Sequence, residues 1–219
     1  MAERYQSVFD TPAYSGPQAA HYIGVPYPTL RHWIDGDGLI TTPQRNVLSF
    51  NNLAEAHVLK AMRKTHRLSL QSIRRALNEL SLMRETAHPL LDESFETDGV
   101  NLCIREDEDI INLSKNRQRE FREFVSLYLH RIERDSKGVA THLYPFVMRD
   151  DIDEPKHISI SPTVSFGKPV LVGTGISTSV VAGRFAARDS ISVLAREYGI
   201  DIGILEDAIR WEMLKGKAA

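Results

Sequence analysis

The chain has 219 residues, of which 42% are hydrophobic and 26% charged, an ordinary balance for one or more soluble globular domains. No apolar run approaches the roughly 20 residues that span a bilayer, the start Met1-Ala2-Glu3-Arg4-Tyr5 lacks an apolar export core, and a single cysteine, Cys103, excludes an internal disulfide. The net charge of −2 is uneven: residues 1–84 carry ten Lys/Arg against six Asp/Glu, residues 85–150 nine against fourteen, and residues 151–219 eight against nine. The expectation is a cytoplasmic protein whose basic first third makes any DNA contact.

Residues 1–13 read as an arm ending at Thr11-Pro12. Ser15 is placed to cap a short helix, 16–22, with Pro17 in its first turn, and Gly24-Val25 breaks it. Pro26 opens a second helix, 27–35, which ends in Asp35-Gly36-Asp37-Gly38. The alternation over 39–50, around Pro43-Gln44-Arg45-Asn46, predicts a small hairpin. Asn51 caps a helix to Thr65, and Ser69 caps another to Leu82. The acidic stretch 85–98 reads as a linker. Val100–Arg105 and Ile110–Leu113 are predicted as strands, followed by a helix over 115–135 that Ser114 caps. Its buried face is Phe121, Phe124, Val125, Tyr128, Leu129 and Ile132, and Val139–Val147 is a further strand. After a polar linker at 149–155 come a strand, His157–Ile160, a Gly-rich stretch, 166–176, and helices over 178–188, 190–198 and 201–215.

The expected architecture is mainly α with small β elements, in three domains. Residues 1–84 form a winged helix-turn-helix. Residues 85–150 hold the acidic linker and a central strand-plus-helix domain. Residues 151–219 form a three-helix, homeodomain-like domain with a short N-terminal β element.

In the first domain, Ala19, Ala20 and Ile23 give the first helix a small apolar face, and Leu30 and Trp33 give the second its inner face. Tyr27, Thr29, Arg31 and His32 are left to point outward into a major groove. Arg31 suits a guanine edge or a phosphate, Tyr27, Thr29 and Ser15 suit phosphates, and Arg45 sits at the wing tip. The runs Tyr14-Ser15-Gly16-Pro17-Gln18-Ala19-Ala20, Gly24-Val25-Pro26 and Thr29-Leu30-Arg31-His32-Trp33 resemble the start of MerR-type regulators. Leu48–Leu59 and Ser69–Leu77 resemble the helix pair that follows there. The resemblance covers about residues 13–82 and implies duplex DNA as a ligand and a homodimer. The helices over 51–65 and 69–82 are the expected dimer contact. No sustained heptad and no Cys pair follow, unlike the ligand- and metal-sensing members.

Near the C-terminus, Gly167-Lys168-Pro169 lacks the spacing and the Ser/Thr of a phosphate loop. Residues Ile158, Ile160, Pro162, Gly167 to Gly173-Thr174, Ser190-Ile191, Leu194, Tyr198-Gly199 and Ile209 instead resemble a small domain of uncharacterised function found in VapB-like antitoxins. That resemblance implies a PIN-like ribonuclease toxin as partner. Gly175-Ile176-Ser177 stands where the pattern commonly has Arg-Ile-Pro. A second helix-turn-helix pattern turns at Gly199, but its last helix carries Asp201, Glu206, Asp207 and Glu212, which phosphates would repel. Its core is read as Val180, Val181, Phe185, Leu194, Tyr198, Ile204, Leu205 and Trp211, and its partner contacts as Lys168, Arg184, Arg188 and Trp211.

The eight histidines are scattered without ligand spacing, and no nucleophile motif occurs, so neither an enzyme nor a cofactor or metal is expected. The leading expectation is the antitoxin of a type II toxin–antitoxin pair that represses its own operator. The toxin is expected on the C-terminal domain, or second on the linker 85–98. The alternative is a stand-alone MerR-like regulator whose central domain binds a small molecule. A third is an interaction scaffold with a vestigial helix-turn-helix.

Overall fold

The structure, a computed structural model, describes residues 7–36, 38–65, 69–106, 115–147 and 153–213. The fold is mainly helical with small antiparallel sheets, as the composition and pattern led one to expect. It divides into two compact units, 1–140 and 141–219.

In the first unit, strand β1 (Tyr14–Ser15) leads into helix α1 (Gly16–Ile23), helix α2 (Tyr27–Arg31) and a π-helical turn, His32–Gly36. Strand β2 (Val47–Leu48) follows, then helices α3 (Phe50–Thr65) and α4 (Leu70–Arg84). The centre of the unit is α3. Its Phe50, Leu53, Ala54, Ala56, Val58, Leu59, Ala61 and Met62 are fully buried, against α1, β2 and elements further along the chain. Its cap lies two residues earlier than the expected Asn51. Ser49 and Asn52 cap each other, Asn52 N donating to Ser49 Oγ and Ser49 N to Asn52 Oδ1, both at 3.2 Å. Most described side chains of α3 are buried by its own chain, which leaves little of the expected dimer contact over 51–65 exposed. Helix α4 does expose Leu82 and Met83 at its end.

Four local expectations change. The hairpin over 39–50 is replaced by pairing of β2 with β1, Tyr14 opposite Leu48, leaving only a tight Gln44–Val47 turn. The stretch 85–98 is not a loose linker. It folds into 3₁₀ turns at Pro89–Leu91 and Glu93–Glu96 that bury Leu90, Leu91 and Phe95. Val100–Arg105 is not a strand but part of helix α5 (Asp98–Glu106), which packs on α4. Its buried Val100, Cys103 and Ile104 recur at helical spacing, and a short apolar run of this kind is ambiguous until its neighbours are known. The predicted strand 110–113 and the cap Ser114 lie outside the described residues. Helix α6 (Lys115–Leu129) ends six residues early, Ile132–Arg134 being strand β3. Its Phe121, Val125 and Tyr128 are fully buried, and it packs on α3. Strand β4 (Ala140–Leu143) follows, where the chain passes into the second unit.

In the second unit, β5 (Ile158–Ser159) pairs antiparallel with β6 (Val170–Leu171), Ile158 opposite Leu171. Helices α7 (Thr178–Ala186), α8 (Ile191–Tyr198) and α9 (Ile202–Met213) follow. Leu171, Val181, Leu194, Leu205, Ala208 and Ile209 make the core. Ser190 caps α8 by accepting from Val193 N, and Gly199 ends it at φ 67°, ψ 31°, a left-handed conformation that glycine adopts without a Cβ penalty. Val180 and Phe185, expected in this core, are instead 49% and 43% exposed, because α7 turns that side to solvent.

Candidate DNA-reading face and partner surface

Helix α1 begins where Ser15 Oγ accepts from Gln18 N at 3.4 Å. The expected phosphate ligand Ser15 is thus already used as a cap. The helix ends at Gly24, whose φ of 67° and ψ of 47° turn the chain sharply. Val25 N then bonds Ala20 O at 3.0 Å, and buried Val25 fills the angle between α1 and α2. Leu30 and Trp33 are buried on the inner side. The outer side carries Tyr27, Arg31 and His32, which the fold brings together with Pro28, Asp35 and Gly36 around an open cleft of about 280 Å³. Thr29 lies on the same helix but does not line that cleft. Arg31 Nε lies 3.5 Å from Asp35 Oδ2, with both side chains largely exposed. Such a surface pair is weak and readily exchanged for a phosphate. Arg45 is exposed on the Gln44–Val47 turn, and its neighbour Asn46 accepts from Tyr27 Oη at 3.0 Å. That bond ties the turn that bears Arg45 to α2.

A second cluster joins residues that no spacing in the sequence links. His88 lies between two carboxylates, Nε2 2.9 Å from Asp10 Oδ1 and Nδ1 3.0 Å from Glu55 Oε2. With an acceptor at each nitrogen, the ring is placed as an imidazolium donating twice. Burial pulls the His88 pKa down, but the hydrogen bonds and charges of Glu55 and Asp10 outweigh it and leave it raised. Burial pushes the Glu55 carboxyl up, against the lowering effect of His88 and Asn52. Asn51 Nδ2 donates to Asp10 Oδ1 at 2.8 Å, and Asn52 Nδ2 donates to Glu55 Oε2 at 3.3 Å and to Thr41 O at 3.0 Å. The N-terminal arm, the loop before β2, α3 and the segment after α4 are thereby pinned to one another. On α3 itself, His57 is buried against Tyr128, ring centroids 4.6 Å apart, and desolvation holds its pKa well below the usual range.

In the second unit the four expected partner contacts separate. Lys168 and Arg188 are exposed. Arg184 is held by Asp189 at 2.7 Å, by both Glu197 oxygens at 2.7 and 2.8 Å, and by Tyr198 Oη at 3.1 Å, so it joins α7 to α8. Trp211 is 4% exposed and belongs to the interior, where it cannot meet a partner. The residue that sequence reasoning missed is Phe166. It is 97% exposed and left-handed at φ 56°, ψ 36°, between Ser165 at φ 47° and Gly167 at φ 76°. Two successive non-glycine residues in this region cost on the order of 1–3 kcal/mol each. Gly167 N to Val164 O at 3.0 Å and Ser165 Oγ to Gly175 O at 3.1 Å hold the turn in that state.

Residues 158–211, which cover β5 to most of α9, match a family described as "Protein of unknown function (DUF433)". Over 92% of this chain and 94% of the relative, the sequence is 26% identical to "Putative antitoxin VapB45" of Mycobacterium tuberculosis. The crystal structure of Rv2018 from the same organism superposes with a TM-score of 0.71 at 26% identity, covering 92% of this chain and 99% of that one. The similarity therefore runs through both units and extends well beyond the DUF433 segment.

Proposed function

We propose that this protein is the antitoxin of a type II toxin–antitoxin pair. The observation that carries the reading is the full-length similarity to a protein named as an antitoxin, in sequence and in fold. In this reading the chain is not an enzyme and works in the cytoplasm. Residues 1–84 form the MerR-like, DNA-reading part, and residues 151–219 hold the toxin-binding surface. Among the described residues no helix is long and apolar enough to cross a membrane.

The first unit binds operator DNA as a homodimer through Tyr27, Thr29, Arg31, His32 and Arg45. The basic balance of residues 1–84 and the linked Tyr27–Asn46 surface support this assignment. The toxin is a PIN-like ribonuclease held on the second unit, with Phe166 as the apolar anchor and the exposed Lys168 and Arg188 as further contacts. The segment 85–98 is the weaker choice for the toxin, because its apolar side chains are already buried in its own unit.

The DNA assignment is tested by titrating labelled DNA from upstream of the gene with the wild type and with the Arg31→Ala/Arg45→Ala variant. The variant is expected to bind at least about tenfold more weakly, and its log–log salt slope to be shallower by about two. Unchanged affinity would remove α2 and its turn from the DNA-binding surface.

A further inference from the structure

The first unit holds a larger cleft, of about 560 Å³, that the proposed function does not use. Its lining brings together Arg84, His88, Arg134 and Lys137, with Asn51, Thr86 and Ser94 as neutral hydrogen-bonding groups. One carboxylate, Asp92, also lines it, but its Oδ1 is turned to its own chain, accepting from Ser94 N at 2.9 Å and Ser94 Oγ at 2.5 Å. The volume falls in the range of small-molecule sites, and polar groups converge on it from several segments.

Three of the four cationic groups, Arg134, Arg84 and His88, are held before any ligand arrives. Arg134 Nη1 donates to Leu91 O at 2.6 Å and Gly138 O at 3.2 Å, which orients the guanidinium on the cleft wall. Arg84 is steadied by Asp98 at 2.7 Å. His88 is clamped between Asp10 and Glu55. Lys137 is exposed at the rim on a turn that Asp135 Oδ1 closes by accepting from Lys137 N at 2.8 Å and Val139 N at 3.0 Å. Guanidinium groups recognise planar or tetrahedral oxyanions with two parallel hydrogen bonds, and a lysine adds a mobile point charge.

We infer that this cleft binds a small oxyanionic ligand, a phosphate- or carboxylate-bearing molecule seated between Arg134, Arg84 and Lys137. The site is independent of the toxin-binding reading and stands or falls alone.

The test uses the full chain in a phosphate-free buffer, titrated separately with inorganic pyrophosphate and with citrate at constant ionic strength, by calorimetry and thermal unfolding. At least one of the two probes is expected to bind saturably with one site per chain and to raise the unfolding temperature by about 5 °C. Pyrophosphate alone indicates a phosphate ester as the ligand, and citrate alone a polycarboxylate. Lys137→Glu, which leaves the backbone bonds of its turn intact, is expected to weaken binding at least about tenfold. Arg196→Glu, at an exposed position of the second unit, should leave it unchanged. Failure of both probes to bind saturably, or equal binding by Lys137→Glu and wild type, would overturn the site.

Discussion

Replacing His88 with alanine is expected to cost about 3 kcal/mol of folding stability near neutral pH, because it strands a buried charge. Glu55 is 3% exposed, and without the imidazole its carboxylate keeps only the Asn52 amide at 3.3 Å. The loss has a signature in pH. The folded pKa of His88 is raised above its ordinary value of 6.5, so its contribution is complete below about pH 6.5 and disappears as pH rises through the folded value. Wild-type stability should therefore decline on the alkaline side of about pH 6.5, and the His88→Ala variant should lack that decline. The variant should instead recover stability as pH falls, because burial raises the Glu55 pKa and lets it take a proton to become neutral. Urea midpoints at three pH values decide the matter. A wild type and a variant with parallel pH profiles would mean that the two short contacts carry no ionic stabilisation.

Phe166→Gly is expected to have opposite effects on folding and on partner binding. Glycine tolerates the left-handed backbone, so the chain should gain about 1 kcal/mol of stability. Removing a fully exposed aromatic costs the free chain no core contact. At the proposed toxin interface the same change removes the anchor, and a hot-spot aromatic is worth about 2 kcal/mol or more, or roughly 30-fold in affinity. A more stable variant with weakened complex formation cannot be explained by partial unfolding. A variant that binds the partner as tightly as wild type would remove Phe166 from the interface.

What could be read from the sequence was local. Ser15 and Ser69 cap their helices as their positions implied, and Gly24 and Gly199 close α1 and α8 in the left-handed conformation. Each of these needs only a few neighbouring residues. The missed features depend on distant ones. Strand β2 pairs with Tyr14 and Ser15, more than thirty residues upstream, so alternation over 39–50 suggested a local hairpin that does not form. The run 100–104 was settled as helix by packing on α4. His88 meets partners 78 and 33 residues away, beyond any spacing rule. Its segment did carry a signal, since Leu90, Leu91 and Phe95 are too apolar for an acidic linker. On the candidate DNA-reading face, Tyr27, Arg31 and His32 were legible from helical spacing, whereas the bond from Tyr27 to Asn46, the neighbour of Arg45, was not. At the second unit, Phe166 was overlooked because the adjacent Gly167-Lys168-Pro169 drew attention as a failed phosphate loop.

The proposed neutralisation of a ribonuclease is tested most directly by purifying the PIN-like ribonuclease expected from the neighbouring reading frame and following RNA cleavage as the full chain is added. A stable complex is expected, with cleavage falling to background at a near-stoichiometric ratio. Undiminished cleavage with the chain in large excess, and no complex on gel filtration, would contradict it.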